Sequence, residues 1–228
     1  MNYKLLFLDI DGTITDERGL IANESLEAIR QLKKNDYIII ACSASAYFSV
    51  RTLNRYFQLF DHIIAENGGV LDLEGDPVIL SDKSYSQKAL EMIKRNFTVK
   101  EHWSNPIRLS DQALVRPAQD EVVNSIKEFV KNMGLNVKVL DTGFSLVITK
   151  KEVSKVTAAR LLVEKLSLKN IETYTIGDSE VDIEIFDFAH KPFALRNSHP
   201  ELKKKAVFIA SEAYYKGFLE VVKKLIEN

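Results

Sequence analysis

With 228 residues, 46% of them hydrophobic and 28% charged, the chain has the make-up of one substantial globular core, or of a core carrying a smaller second unit. Its 31 Lys and Arg against 32 Asp and Glu leave a formal net charge of −1, which excludes the broad basic field that recruits nucleic acid or an anionic membrane. A lone cysteine, Cys42, excludes an internal disulfide. No apolar window has bilayer-crossing length and no leader pattern opens the chain, so a cytoplasmic protein without nucleic-acid or membrane partners is expected.

Residues 4–8, with the apolar run Leu5-Leu6-Phe7-Leu8, read as a buried strand that delivers Asp9-Ile10-Asp11-Gly12-Thr13 to its exit. Gly12 permits a sharp turn, so Asp9 and Asp11 can face one small polar space. Two crowded carboxylates suit a hard divalent cation such as Mg²⁺, which takes oxygen ligands and sits readily beside a phosphate. The same five residues also describe a solvated turn closing a strand. A helix over 24–34 follows, with Leu26, Ile29 and Leu32 on one face and Asn23 placed to cap it. Next comes a strand over 37–42, in which Cys42 reads as a small buried hydrophobe. Ser43 stands at its exit, where a hydroxyl and the following backbone N–H groups can receive phosphoryl oxygens. A helix over 51–57 and a strand over 62–65 complete this third. Apolar strands alternating with helices signal an α/β fold, a parallel sheet covered on both faces.

Residues 81–150 break that pattern. They offer a helix carrying Leu90, Ile93 and Phe97, strand material over 107–115, and a helix carrying Val122, Ile126, Phe129 and Met133. Two strands joined near Asp141-Thr142-Gly143 end the stretch. This is a small α+β unit of about 70 residues set between core segments 1–80 and 151–228. His102, Trp103, Arg108 and Arg116 are its candidates for meeting the non-phosphate end of an anionic or sugar substrate. The α/β order then resumes. Lys155 stands just before a helix over 156–166, where its ammonium can neutralise a carboxylate and a phosphoryl oxygen together. A strand over 173–176 ends in Gly177-Asp178-Ser179, and Asp182 follows at i+4 near the start of a helix over 181–188. Asp182 either orients Asp178 or a metal-bound water, or only offsets the helix dipole. Strand segments over 192–195 and 206–209 and a helix over 217–226 close the chain.

An Asp-x-Asp-Gly-Thr strand exit, a Ser strand exit, a Lys at a helix start and a Gly-Asp-Ser-x-x-Asp strand exit occur in that order. In this the chain resembles the phosphatases of the haloacid dehalogenase superfamily, over its whole length. The inserted unit, between the second and third of these signals, resembles that superfamily's type II cap. Its small size, Glu66-Asn67-Gly68-Gly69, and Asn197-Ser198-His199-Pro200 before Glu201-Leu202-Lys203 resemble the archaeal phosphoglycolate phosphatase-like branch. The resemblance implies a Rossmann-like core with an inserted α+β cap.

By the same resemblance, Asp9 is expected as a nucleophile forming an aspartyl-phosphate, and Asp11 as the acid and then the base. Ser43, Ala44 and Lys155 would hold the phosphate. Mg²⁺ would be held by the Asp9 carboxylate, the Asp11 carbonyl and Asp178, with Asp182 in support. Asn67, Arg108, Arg116 and Asn197 are the expected substrate contacts. The chain departs from the pattern at Ala44 and Ser45, where relatives often carry Gly and then Arg or Asn, so Cys42 also competes for the second-motif slot. Val181 replaces an Asn before the last Asp. The expected function is Mg²⁺-dependent hydrolysis of a small phosphorylated metabolite, phosphoglycolate or a sugar or polyol phosphate, by a monomer or homodimer. A phosphomutase using the same intermediate, and a catalytically weak binding or regulatory protein, are the alternatives.

Overall fold

The computed structural model describes residues 3–73 and 75–227. The chain runs β1 (Tyr3–Leu8), α1 (Asn23–Lys34), β2 (Tyr37–Cys42), α2 (Tyr47–Phe57), β3 (His62–Ala65), β4 (Val70–Asp72) and β5 (Pro77–Ile79). It continues through α3 (Ser84–Asn96), β6 (Gln112–Val115), α4 (Asp120–Asn132), β7 (Val137–Asp141) and β8 (Ser145–Lys150). The last stretch holds α5 (Lys155–Leu166), β9 (Ile171–Gly177), α6 (Ile183–Phe188), β10 (Lys191–Ala194), α7 (Pro200–Lys205), β11 (Phe208–Ile209) and α8 (Tyr214–Glu227).

Eight strands form one sheet in the order β11-β10-β9-β1-β2-β3-β4-β5, parallel except where β4 and β5 turn back. Strand β1 explains the layering. Its alternate side chains face opposite sides of the sheet, so Leu6 and Leu8 join Ile29, Leu32, Ile39 and Phe218 under α1 and α8. Leu5 and Phe7 join Ile40, Ile64, Leu162 and Phe186 under α5 and α6. Both faces are therefore apolar, and Cys42, 2% exposed, belongs to the second. From β1 the chain moves to β2 on one side and later returns to β9 on the other. That reversal opens a crevice at the carboxyl ends of β1, β2 and β9, the place where such sheets bind ligands.

A three-stranded antiparallel sheet, β6-β8-β7, has its own core, in which Leu90 and Ile93 of α3 and Ile126 and Val130 of α4 meet Leu114, Leu146 and Ile148.

Several sequence expectations need correction. Asn23 does not cap α1; Ala22 occupies that position, with no side-chain cap. Helix α2 begins at Tyr47, earlier than the expected 51. The strand expected over 107–115 is confined to Gln112–Val115. The reason is Glu66: its carboxylate accepts the backbone N–H groups of Leu109, Ser110 and Asp111, which are thereby lost to a ladder. Asp178 and Asp182 do not share a helical face, because a 3-10 turn, Glu180–Asp182, intervenes before α6. Strands β4 and β5 and helix α7 were not anticipated.

Candidate active site

The turn after β1 is built first. Thr13 and Ile14 donate N–H groups to the Ile10 carbonyl, and Gly12 donates to the Thr15 hydroxyl at 2.9 Å. Gly12 has φ +82°, and a Cβ there would collide with the Asp178 carboxylate, so glycine is needed for both conformation and space. Asp9 is buried at this turn. Its Oδ1 receives the Lys155 ammonium at 2.7 Å and its Oδ2 the Thr13 hydroxyl at 3.3 Å.

Lys155 is the first residue of α5, whose N-cap Ser154 forms a capping box with Thr157. The cap fixes where the helix starts, and so where Lys155 points. Gly68, at φ +97°, lets the β3 turn pass close to the Ser154 carbonyl. The buried Lys155 ammonium also donates to Asp182 Oδ1 at 2.6 Å. Burial alone would lower its pKa; Asp182 and Asp9 more than offset that and hold it well above the usual lysine value. Asp182 Oδ2 accepts the N–H and hydroxyl of Ser179, so both its oxygens are engaged.

Asp178 is placed differently. Its Oδ2 accepts the Asn197 amide at 3.2 Å, whereas its Oδ1 is buried with no hydrogen-bond partner. Burial, with the neighbouring Asp9 and Asp182 charges, pushes its carboxyl up to about 8; burial pushes Asp9 up to about 7, with Lys155 opposing and Asp182 and Asp11 adding. Asp9, Asp178 and Asp182 offer oxygens within 4.8 Å of one another. Three carboxylates against one ammonium leave an excess of negative charge, which attracts a proton or a cation. The donor set is all oxygen, and Asp178 Oδ1 is buried without a hydrogen-bond partner, so the residues fit Mg²⁺.

The remaining candidates divide. Ser43 is fully buried and its Oγ accepts the Ser45 N–H at 3.0 Å. Ala44 and Ser45 border a cleft of about 290 Å³ whose floor includes Asp9, Asp11 and Ser179. Ser45, read from sequence only as a departure from the second motif, donates its hydroxyl to Asp11 Oδ2 at 2.9 Å. Asn67 is buried with both amide atoms unpartnered, and lies beside Lys155 on an adjoining cleft of about 320 Å³. Asn197 is committed to the Gly12 carbonyl, Asp178 and the Tyr214 N–H, so it holds the two acidic turns together.

Arg108 reaches the cleft and donates one N–H from each guanidinium nitrogen, to Asp111 at 2.5 Å, the Ser104 hydroxyl at 2.9 Å and the Ala44 carbonyl at 3.2 Å, so each terminal nitrogen keeps a further donor. Arg116 lies outside this cleft and is paired with Asp141 and Asp120. Glu66 was also missed as an individual. It is buried at φ +52° and accepts the N–H groups of Tyr47, at the start of α2, and of 109–111, ahead of β6. No local spacing betrays such a role, because its partners are about twenty and forty residues away.

The sequence profile of the haloacid dehalogenase-like hydrolases matches residues 6–105 and 81–222. This chain belongs to that family. A phosphoglycolate phosphatase of Methanoculleus marisnigri is 33% identical over 227 residues, covering 97% of this chain and 96% of its own. One from Staphylothermus marinus is 31% identical over 235 residues, covering 99% and 98%. Among solved structures, Thermoplasma acidophilum 0175 superposes with a TM-score of 0.88 at 21% identity, covering 98% of each chain. The sucrose-phosphatase of Synechocystis superposes at 0.74 and 20% identity, also over 98% of each. With the family and curated phosphatases matched from end to end, this hydrolase is a phosphatase. Among its described residues, no helix is long and apolar enough to cross a membrane.

Proposed function

We propose that the enzyme hydrolyses the phosphate monoester of a small metabolite with Mg²⁺, through an aspartyl-phosphate on Asp9. The observation that carries this reading is the buried contact of Lys155 with Asp9, beside an Asp178 oxygen that has no partner. Phosphoglycolate, the compound in the relatives' names, is one candidate substrate; a sugar or polyol phosphate is the other.

Lys155 occupies Asp9 Oδ1 and leaves Oδ2 the freer oxygen for attack on phosphorus. Its positive charge offsets the repulsion between a carboxylate and an anionic ester, and stabilises charge on the transferring group. Asp11, steadied by the Ser45 hydroxyl, protonates the leaving oxygen and then takes a proton from the water that cleaves the acyl phosphate. Backbone N–H groups after Ser43 and the Asn67 amide are the neutral donors for phosphoryl oxygens. Asp9, the Asp11 carbonyl and Asp178 would hold Mg²⁺, with Asp182 fixing Lys155; bound there, the ion supplies charge neutralisation and orientation of the phosphoryl group. The unit formed by residues 81–150 serves as a cap that excludes water.

The test is phosphate release from phosphoglycolate, sugar phosphates and an aryl phosphate, with and without Mg²⁺. Metal-dependent release is expected, falling by at least about a hundredfold in Asp9→Asn. Release that survives both metal removal and that substitution would sink the mechanism.

A further inference from the structure

The peptide between Ala44 and Ser45 is gripped from two directions. Its N–H, on Ser45, donates to Ser43 Oγ at 3.0 Å, and its carbonyl, on Ala44, accepts Arg108 Nη2 at 3.2 Å. The Ser45 carbonyl in turn accepts the Glu66 N–H at 3.1 Å. A peptide is planar, so holding both its sides fixes the plane and the start of the Ser45 side chain. One torsion then places the hydroxyl, which donates to Asp11 Oδ2 at 2.9 Å. The aim of Ser45 is therefore the aim of its backbone. Ser43 and Glu66 lie at the exits of the neighbouring strands β2 and β3. Arg108 is the distant partner, 64 residues from Ala44, in the segment between α3 and β6.

Arg108 is itself held firmly. It is 4% exposed, and its Nε donates to the Ser104 hydroxyl at 2.9 Å while Nη1 donates to Asp111 at 2.5 Å. Its own carbonyl accepts the Lys83 ammonium at 2.6 Å. Asp111, fully buried, is the counter-charge, and its N–H is taken by Glu66. A planar guanidinium fixed at two nitrogens presents the third in a set direction. The acceptor that Nη2 meets is a neutral carbonyl, so this contact supplies orientation.

Building on the hydrolytic reading above, we propose that Arg108, held by Asp111, is a positioning residue for the acid: through the peptide between Ala44 and Ser45 it keeps the Ser45 hydroxyl on Asp11, and so acts on the proton delivered to the leaving oxygen. In that step the bond from Asp9 to phosphorus forms as the ester P–O bond breaks, and the Asp11 proton passes to the departing oxygen. An alkoxide needs that proton to leave, whereas para-nitrophenolate, a weak base, departs without it.

The ratio kcat/KM covers the reaction from free enzyme to departure of the leaving group, and so separates this step from later cleavage of the acyl phosphate. It is measured with Mg²⁺ for para-nitrophenyl, phenyl and simple alkyl phosphates. Arg108→Met alone would strand Asp111 as a buried charge, so the variant is Arg108→Met with Asp111→Leu, beside Ser45→Ala. Each should lower kcat/KM for the alkyl ester at least about tenfold more than for the para-nitrophenyl ester. The folded fraction cancels in that comparison between esters. The triple variant should lose little beyond either parent, because all three residues act through one contact on Asp11. Ser45→Thr, which keeps the hydroxyl, should recover most of the loss. An equal fractional loss for every ester, or a loss carried by KM and additive with that of Ser45→Ala, would make Arg108 a contact of the ester and overturn the inference. That failure leaves the hydrolytic reading standing where wild-type release needs Mg²⁺ and Asp9; absence of such release refutes both.

Discussion

The Asp178 carboxylate, with one oxygen tied to Asn197 and the other left bare, ties the protonation of this site to the stability of the chain. Asp9 and Asp178 are raised from the usual 3.8 to about 7 and about 8. In the metal-free fold they keep protons that the unfolded chain has already lost, so stability falls as pH rises from about 4 to about 8. A divalent cation relieves that penalty and must compete with those protons when pH is low. The rise in Tm on adding Mg²⁺ should therefore be larger at about pH 8.5 than at about pH 6; equal shifts by scanning calorimetry would show that these carboxyls do not face the ion. Asp9, Asp178 and Lys155 could be read from sequence because each sits at a strand exit or helix start. The arginines could not: the Arg116 pair with Asp141 joins segments that meet only after folding, and the Arg108 pair with Asp111, though local, forms in an irregular stretch with no helical or strand spacing to announce it.

Helix α5 shows how an element's boundary sets a side chain's aim. Ser154 accepts the Thr157 N–H and Thr157 donates its hydroxyl back to the Ser154 carbonyl, so the first turn cannot slip. Ser154→Ala should cost about 0.5–2 kcal/mol in denaturant unfolding, with a fall in kcat beyond what the folded fraction explains, since Lys155 is the next residue. Unchanged kcat at full folding would mean that Asp9 and Asp182 hold the lysine unaided. Long periodic elements such as α1, α4 and α8 were legible because several turns repeat one apolar face. Strands β4 and β5 have three residues each, too short for a period of two to stand out beside Gly75 and Pro77. Segment 107–111 is apolar enough to suggest a strand, but its N–H groups answer to a carboxylate from a distant turn.

Across the whole molecule, Glu66 joins two bodies of structure that have separate apolar cores. It receives N–H groups from Tyr47, at the start of α2, and from Leu109, Ser110 and Asp111, at the approach to β6. Glu66→Ala would leave several buried donors unpaired at about 1–3 kcal/mol each, so a loss of about 3 kcal/mol or more is expected. Hydrogen exchange at 109–111 should accelerate well before that of β1 and β9. Uniform acceleration across both sheets would mean that the residue supports global stability alone and does not hold the junction.

Cys42 lies enclosed at the end of β2, and burial pushes its thiol well above the usual range. A thiol both walled off and protonated is silent to alkylating reagents while the chain is folded. Because it is the sole cysteine, Arg18→Cys on the core side of the cleft would carry any fluorophore added, facing the sole tryptophan on the other side. The native chain is thus already stripped to a one-donor, one-label optical ruler, on which opening and closing of the cleft over a bound ester can be followed as energy transfer in solution.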